Sequence, residues 1–245
     1  MRWPPAPTIS AEARCRDRIE VPVLPSYLDR LDGAITGTVL ERRRVTCSRL
    51  VTMKDIAFMK ILVVIAHPRE NSLTHQAARA FAEAAQKNGH EVEFADLVAE
   101  NFDPVLKAED EPDWSGRDID FAEDVRREME RVERNDATVL FFPVWWWSMP
   151  AILKGWIDRV WAQNWAFGSK TYPHAKVLMV GIAGATEDDY RKRGYDISFR
   201  TQLKVGILDY CSVKEGKVEL LYGSLEGEAQ AAAIISSAKD LGARF

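Results

Sequence analysis

Two short stretches hold residue types that could do chemistry together. The first is Ala66-His67-Pro68-Arg69-Glu70-Asn71-Ser72-Leu73-Thr74, a turn rich in hydrogen-bond donors that leads into a helical pattern. The free N–H groups and positive dipole end of such a helix form a phosphate site, and the Ser72 and Thr74 hydroxyls add donors. Asn71 or Ser72 could equally be a plain N-cap, with His67 a satisfied loop residue. The second is Phe142-Pro143-Val144-Trp145-Trp146-Trp147-Ser148-Met149-Pro150, in which three successive tryptophans run from an apolar strand pattern into a helix. Side chains alternate faces along a strand, so at least one indole is expected to leave the core and line a crevice suited to a flat ring. Packing of all three between sheet and helix is the competing reading.

A phosphate cradle beside an aromatic slot is the combination a flavin nucleotide requires. Other chemistries find less support. No GxGxxG follows the first strand pattern and no GxxxxGK[ST] occurs, which disfavours a dinucleotide fingerprint or a P-loop. Cys15, Cys47 and Cys211 are far apart, with no CxxC pair, so neither a disulfide framework nor a metal site is indicated.

The elements that must position these stretches alternate in type. Strand patterns are expected at Lys60–Ala66, Glu91–Leu97, Ala137–Val144, Lys176–Ala183 and Val218–Tyr222. Helical patterns are expected at Leu73–Asn88, Phe121–Arg134, Pro150 to about Trp161, and Glu226–Leu241. Alternating β and α units imply an α/β protein with a five-stranded parallel sheet covered by helices on both faces, flavodoxin-like in order 2-1-3-4-5. Ligands then bind beyond the carboxyl ends of the strands, between the first and third, where both stretches fall. Asn101 to Asp120, with Glu111-Pro112-Asp113-Trp114, is a long acidic connection.

Residues 1–58 differ in character. They carry five prolines, an Arg42-Arg43-Arg44 run and a net charge of +3, against −7 for residues 59–245. The expectation is a disordered extension or a start-site artefact, with translation beginning at Met53 or Met59. A partner-binding arm is the alternative. Residues 59–245 are expected to form a flavodoxin-like, flavin-binding domain. The whole chain of 245 residues has a net charge of −4, which gives no basic footprint for nucleic acid and no polybasic membrane patch. No apolar run reaches the roughly 20 residues of a membrane span, so a cytoplasmic, reducing location is expected.

Ile61 to Thr74, Asn101-Phe102-Asp103-Pro104-Val105, and Phe142 to Trp147 with Pro150-Ala151-Ile152-Leu153-Lys154-Gly155-Trp156-Ile157-Asp158-Arg159-Val160 resemble the NAD(P)H:quinone oxidoreductase family, which includes the DT-diaphorases and small bacterial NAD(P)H oxidoreductases. The likeness spans about residues 59–225. It implies a flavodoxin-like fold, bound FMN or FAD with FMN ahead, NADPH or NADH as electron donor, a quinone-like acceptor, and a homodimer with the active site at its interface.

By that resemblance His67, Asn71, Ser72 and Thr74 hold the flavin's phosphate part. Pro143, Val144, Trp145, Trp146 and Trp147 lie along its ring, and Gly184 belongs to a glycine-rich turn beside it. Trp147, Trp165 and Phe167 shape the substrate pocket, although the aromatics after residue 160 could be dimer core. Tyr190 matches a catalytic tyrosine, and Tyr195 stands nearest the position of the family's histidine, which has no His counterpart here. Two alternatives belong to other classes: a regulatory flavoprotein subunit of a glutathione-gated potassium efflux system, with a membrane transporter as partner, or a flavodoxin-type electron carrier.

Overall fold

The computed structural model describes residues 58–113 and 120–245. Most of the N-terminal extension and Trp114 lie outside the described residues. Five strands, β1 (Lys60–Ile65), β2 (Glu91–Asp96), β3 (Ala137–Pro143), β4 (Lys176–Ile182) and β5 (Glu215–Leu221), form one sheet in the order β2-β1-β3-β4-β5. Every pairing is parallel, and β1 and β3 are direct neighbours, with Ile65 opposite Phe141. β1 and β3 are buried along nearly their whole length, as their unbroken Val, Ile, Leu and Phe composition requires of strands covered on both faces.

On one face lie α1 (Leu73–Lys87), which contributes Phe81, and α6 (Glu228–Ala243), packed over Ile61, Val63, Phe141 and Val180. Their approach is close: a Cβ on Gly242 would stand 2.1 Å from the Phe81 carbonyl oxygen. The other face carries α2 (Glu123–Glu133) and α3 (Ala151–Val160), with Trp156, Leu153, Phe142 and Leu140 in the shared core. After β4 come α4 (Glu187–Arg193), α5 (Tyr195–Arg200) and a π-helical segment over Thr201–Asp209. Gly194, at φ 69°, is the left-handed joint between α4 and α5.

Three departures from the sequence reading stand out. β5 begins at Glu215 rather than Val218, because Glu215, Lys217 and Glu219 alternate outward on this edge strand and hide its apolar face. α6 is displaced by two residues, starting at Glu228. The helices from Glu187 to Asp209 were not anticipated, since the charged EDDYRKR run and the non-α segment after it carry no 3.6-residue apolar period.

The acidic connection is more than a solvated run. A 3₁₀ turn at Ala108–Asp110 buries Asp110, whose Oδ2 accepts from Arg159 Nε at 2.6 Å. Arg159 is fully buried on α3 and also donates to Asp124 at 2.6 and 3.1 Å and to the Asp103 carbonyl at 2.8 Å. Burial alone would pull the Arg159 pKa down; its hydrogen bonds to Asp124 and Asp110 more than offset this and raise it.

Candidate functional site

Because β1 and β3 are adjacent and parallel, the loops at their carboxyl ends meet. The Ala66 N–H donates to the Phe141 carbonyl at 3.1 Å, and the His67 ring lies 6.0 Å from the Trp145 ring. His67 is buried, and its Nδ1 accepts the Arg69 N–H at 3.0 Å. Burial first, then the Arg69 charge, lowers the His67 pKa, which favours a neutral imidazole with its proton on Nε2.

Ser72 caps α1, its Oγ accepting the His75 N–H at 3.3 Å. The N–H groups of Leu73 and Thr74 and the Thr74 hydroxyl have no partner among the described residues, although Thr74 is only 2% exposed. Asn71 is exposed, and only its carbonyl is engaged, by Gln76 Nε2 at 3.1 Å. Unengaged donors at a helix start fit a phosphate.

The tryptophans do not continue the strand, as alternation had implied. β3 ends at Pro143, where the chain stays tied to β4 through the Val144 N–H donating to Ile182 at 2.8 Å. Trp145 and Ser148 then exchange backbone hydrogen bonds of 3.0 and 3.1 Å, closing a two-residue turn. Trp146 and Trp147 occupy its centre at φ 49° and 57°. Two positive φ values define the type I′ geometry normally given to Asn-Gly, and bulky residues there cost on the order of 1–3 kcal/mol each. The turn lifts all three indoles out of the core, with 45%, 88% and 41% of Trp145, Trp146 and Trp147 exposed. It also leaves the N–H groups of Trp146 and Trp147 without acceptors among the described residues.

Tyr195 packs against Trp147 with ring centroids 4.5 Å apart and the rings tilted by 41°, and Tyr190 meets Tyr195 edge-on at 5.9 Å. Tyr190 is buried, not a solvent-facing helix residue, and burial raises its pKa. Gly184 lies in the β4 loop, its N–H unengaged among the described residues and its carbonyl accepting the Leu225 N–H at 3.4 Å. Sequence reasoning missed Tyr222, whose ring lies 5.2 Å from Tyr190, and Gln202, whose Oε1 accepts from Ser148 Oγ at 3.1 Å. Tyr222 follows β5, so its position at the strand's carboxyl end was the available signal.

Trp165 and Phe167 are not gathered around Trp147 within one chain. Trp165 is core: its indole N–H donates to Glu133 at 2.7 Å and its ring meets Tyr172 edge-on. Phe167 packs against Tyr210 at 5.6 Å and lines a separate cavity of about 330 Å³ with Trp161, Ile207 and Cys211.

The family model described as flavodoxin-like fold matches residues 59–245. The uncharacterized NAD(P)H oxidoreductase YcaK of Escherichia coli is 35% identical over 163 residues, covering 66% of this chain and 83% of that protein. NAD(P)H dehydrogenase [quinone] 1 of Cavia porcellus is 26% identical, covering 68% of this chain and 70% of that protein. Among solved structures, the NAD(P)H:quinone oxidoreductase from Methanothermobacter marburgensis superposes with a TM-score of 0.70 at 31% identity, covering 77% of this chain and 96% of that one. The chain belongs to the family of flavodoxin-like fold, and the proteins it resembles there are named NAD(P)H oxidoreductase, NAD(P)H dehydrogenase [quinone] or NAD(P)H:quinone oxidoreductase.

Proposed function

We propose that this protein is a flavin-dependent NAD(P)H oxidoreductase that passes two electrons to a quinone or a similar electrophile. The observation that carries the proposal is the meeting of His67 with Trp145, which sets the unengaged donors of α1 beside the strained tryptophan turn. A bound flavin supplies hydride acceptance and donation, which no side chain here provides. Leu73 and Thr74 N–H groups, with the Asn71, Ser72 and Thr74 side chains, would hold its phosphate. These donors gather at a single helix start, which favours FMN over FAD. Pro143 and Val144 floor the ring site, His67 Nε2 and the N–H groups of Trp146, Trp147 and Gly184 offer donors to the ring's polar edge, and Trp145 and Trp147 exclude water.

NADPH or NADH and the acceptor take turns in one slot against Trp147. Tyr190 and Tyr195 stabilise the negative charge that develops there. A second copy of the chain covers the exposed Trp146, Ile197, Val205 and Tyr210 and brings its Phe167 to the slot, while Trp165 supports that wall from the core. No helix among the described residues is long and apolar enough to cross a membrane. The working location is the cytoplasm.

Initial rates with NADPH and a soluble naphthoquinone test the single slot. Alternating occupancy gives parallel double-reciprocal lines; lines that intersect contradict it.

A further inference from the structure

Ser72, His75 and Asp96 form a buried chain of hydrogen bonds at the start of α1. Ser72 Oγ lies 2.9 Å from His75 Nδ1, and His75 Nε2 lies 2.8 Å from Asp96 Oδ2. His75 is 2% exposed and Ser72 4% exposed. The other Asp96 oxygen accepts the Val98 and Ala99 N–H groups, each at 3.2 Å. Asp96 therefore presents an acceptor to His75, which must answer with a proton on Nε2.

The consequence falls on Ser72. Its hydroxyl has one proton and two lone pairs, and one lone pair already accepts the His75 N–H. If the imidazole is neutral, Nδ1 is bare and the Ser72 proton is committed to it, so Ser72 has nothing to donate outward. If the imidazole is protonated, Nδ1–H donates to the second lone pair and frees the Ser72 proton for an incoming oxygen. The unengaged Leu73 and Thr74 N–H groups lie beside it.

We infer that His75, held by Asp96, is a positioning residue that stores the proton allowing Ser72 to donate to a phosphate monoester at the start of α1. This rests on the flavin reading above. Binding leaves one proton on His75, taken from solvent because a phosphate monoester is already a dianion at pH 7 and above, and no covalent bond changes. The titratable and charged groups set around His75 are Asp96, His67, whose ring lies 6.3 Å away, and Arg69 beside His67. His67 and Arg69 oppose the stored positive charge and Asp96 supports it.

The test is titration of FMN and riboflavin into the flavin-stripped full chain at pH 7 and pH 8.5. Linkage of one proton predicts that the FMN Kd of the unmodified chain rises by about thirtyfold over this interval of 1.5 pH units, while that of riboflavin, which lacks phosphate, changes less than about twofold. Asp96→Asn reverses the donor facing Nε2, so Nδ1 carries the proton in the neutral ring; it should bind FMN with an unchanged Kd at both pH values. His75→Gln should also abolish the pH dependence. An unmodified chain whose FMN affinity ignores pH overturns the inference, as does a slope that persists in both variants or is shared by riboflavin. Failure to bind FMN at either pH overturns the flavin reading as well, which separates the two failures.

Discussion

Gly155 lies against Pro104 so closely that a Cβ on Gly155 would stand 2.1 Å from the Pro104 carbonyl oxygen and 2.5 Å from its Cβ. This contact locks the loop after β2 onto α3, the helix that follows the tryptophan turn, and Arg159 one turn later fastens the same loop through the Asp103 carbonyl. The obstruction is backbone and cannot swing aside. Gly155→Ala should lower unfolding free energy by about 3 kcal/mol, the upper end for overpacking, read as a reduced urea midpoint at constant slope.

Arg159, if removed, leaves behind the fully buried Asp110 carboxylate and the partly buried Asp124. Arg159→Ala should cost about 3–5 kcal/mol, as for a broken buried ion pair. Its partner Asp124 sets an acid limit: the Arg159 hydrogen bond holds the Asp124 carboxyl below its ordinary value. A depressed carboxylate contributes stability above its unfolded pKa of about 3.9 and loses it as pH falls through the lower folded value. Asp124→Asn should therefore flatten the decline of thermal midpoint below about pH 4 and lower the plateau above it.

Trp146 combines a positive φ with 88% exposure. Trp146→Gly removes the backbone strain and little packing within one chain, so the thermal midpoint of the flavin-free protein, read at dilutions where it is monomeric, should hold or rise, by up to about 1 kcal/mol of stability. Flavin retention and quinone turnover should fall. A lower midpoint with unchanged turnover would show that the indole serves the fold.

Tyr190 and Tyr195 form an edge-to-face pair behind Trp147. Tyr190→Phe keeps the ring and deletes the hydroxyl. It should reduce kcat by about 10²-fold, as loss of a charge-stabilising donor does, with flavin affinity changed less than about threefold. Tyr195→Ala should instead loosen Trp147 and raise KM for the acceptor, measured by steady-state rates with a naphthoquinone.

The central strands, their order and the start of α1 were legible because buried parallel strands and helix starts leave strong local patterns. The α4 to π-helical region was not, since its charged first turn and irregular hydrogen bonding carry no apolar period. The tryptophan turn was hidden for a different reason. Its type I′ geometry lacks the Asn-Gly signal, so Trp145-Trp146-Trp147 read as strand continuation. The burial of Arg159 left no local sign, because its partners Asp110 and Asp124 lie 49 and 35 positions away in sequence. Trp165 offered no sign that Glu133 on α2 would engage it.

The most direct test of the account is the absorption spectrum of the purified protein after incubation with FMN and gel filtration, followed by anaerobic NADPH. A retained yellow chromophore near about 450 nm that bleaches with NADPH and returns on adding a quinone is the expected result. A protein that emerges colourless, or stays yellow in excess NADPH and NADH, contradicts the assignment of His67, the start of α1 and the Trp145–Trp147 turn to flavin-dependent hydride transfer.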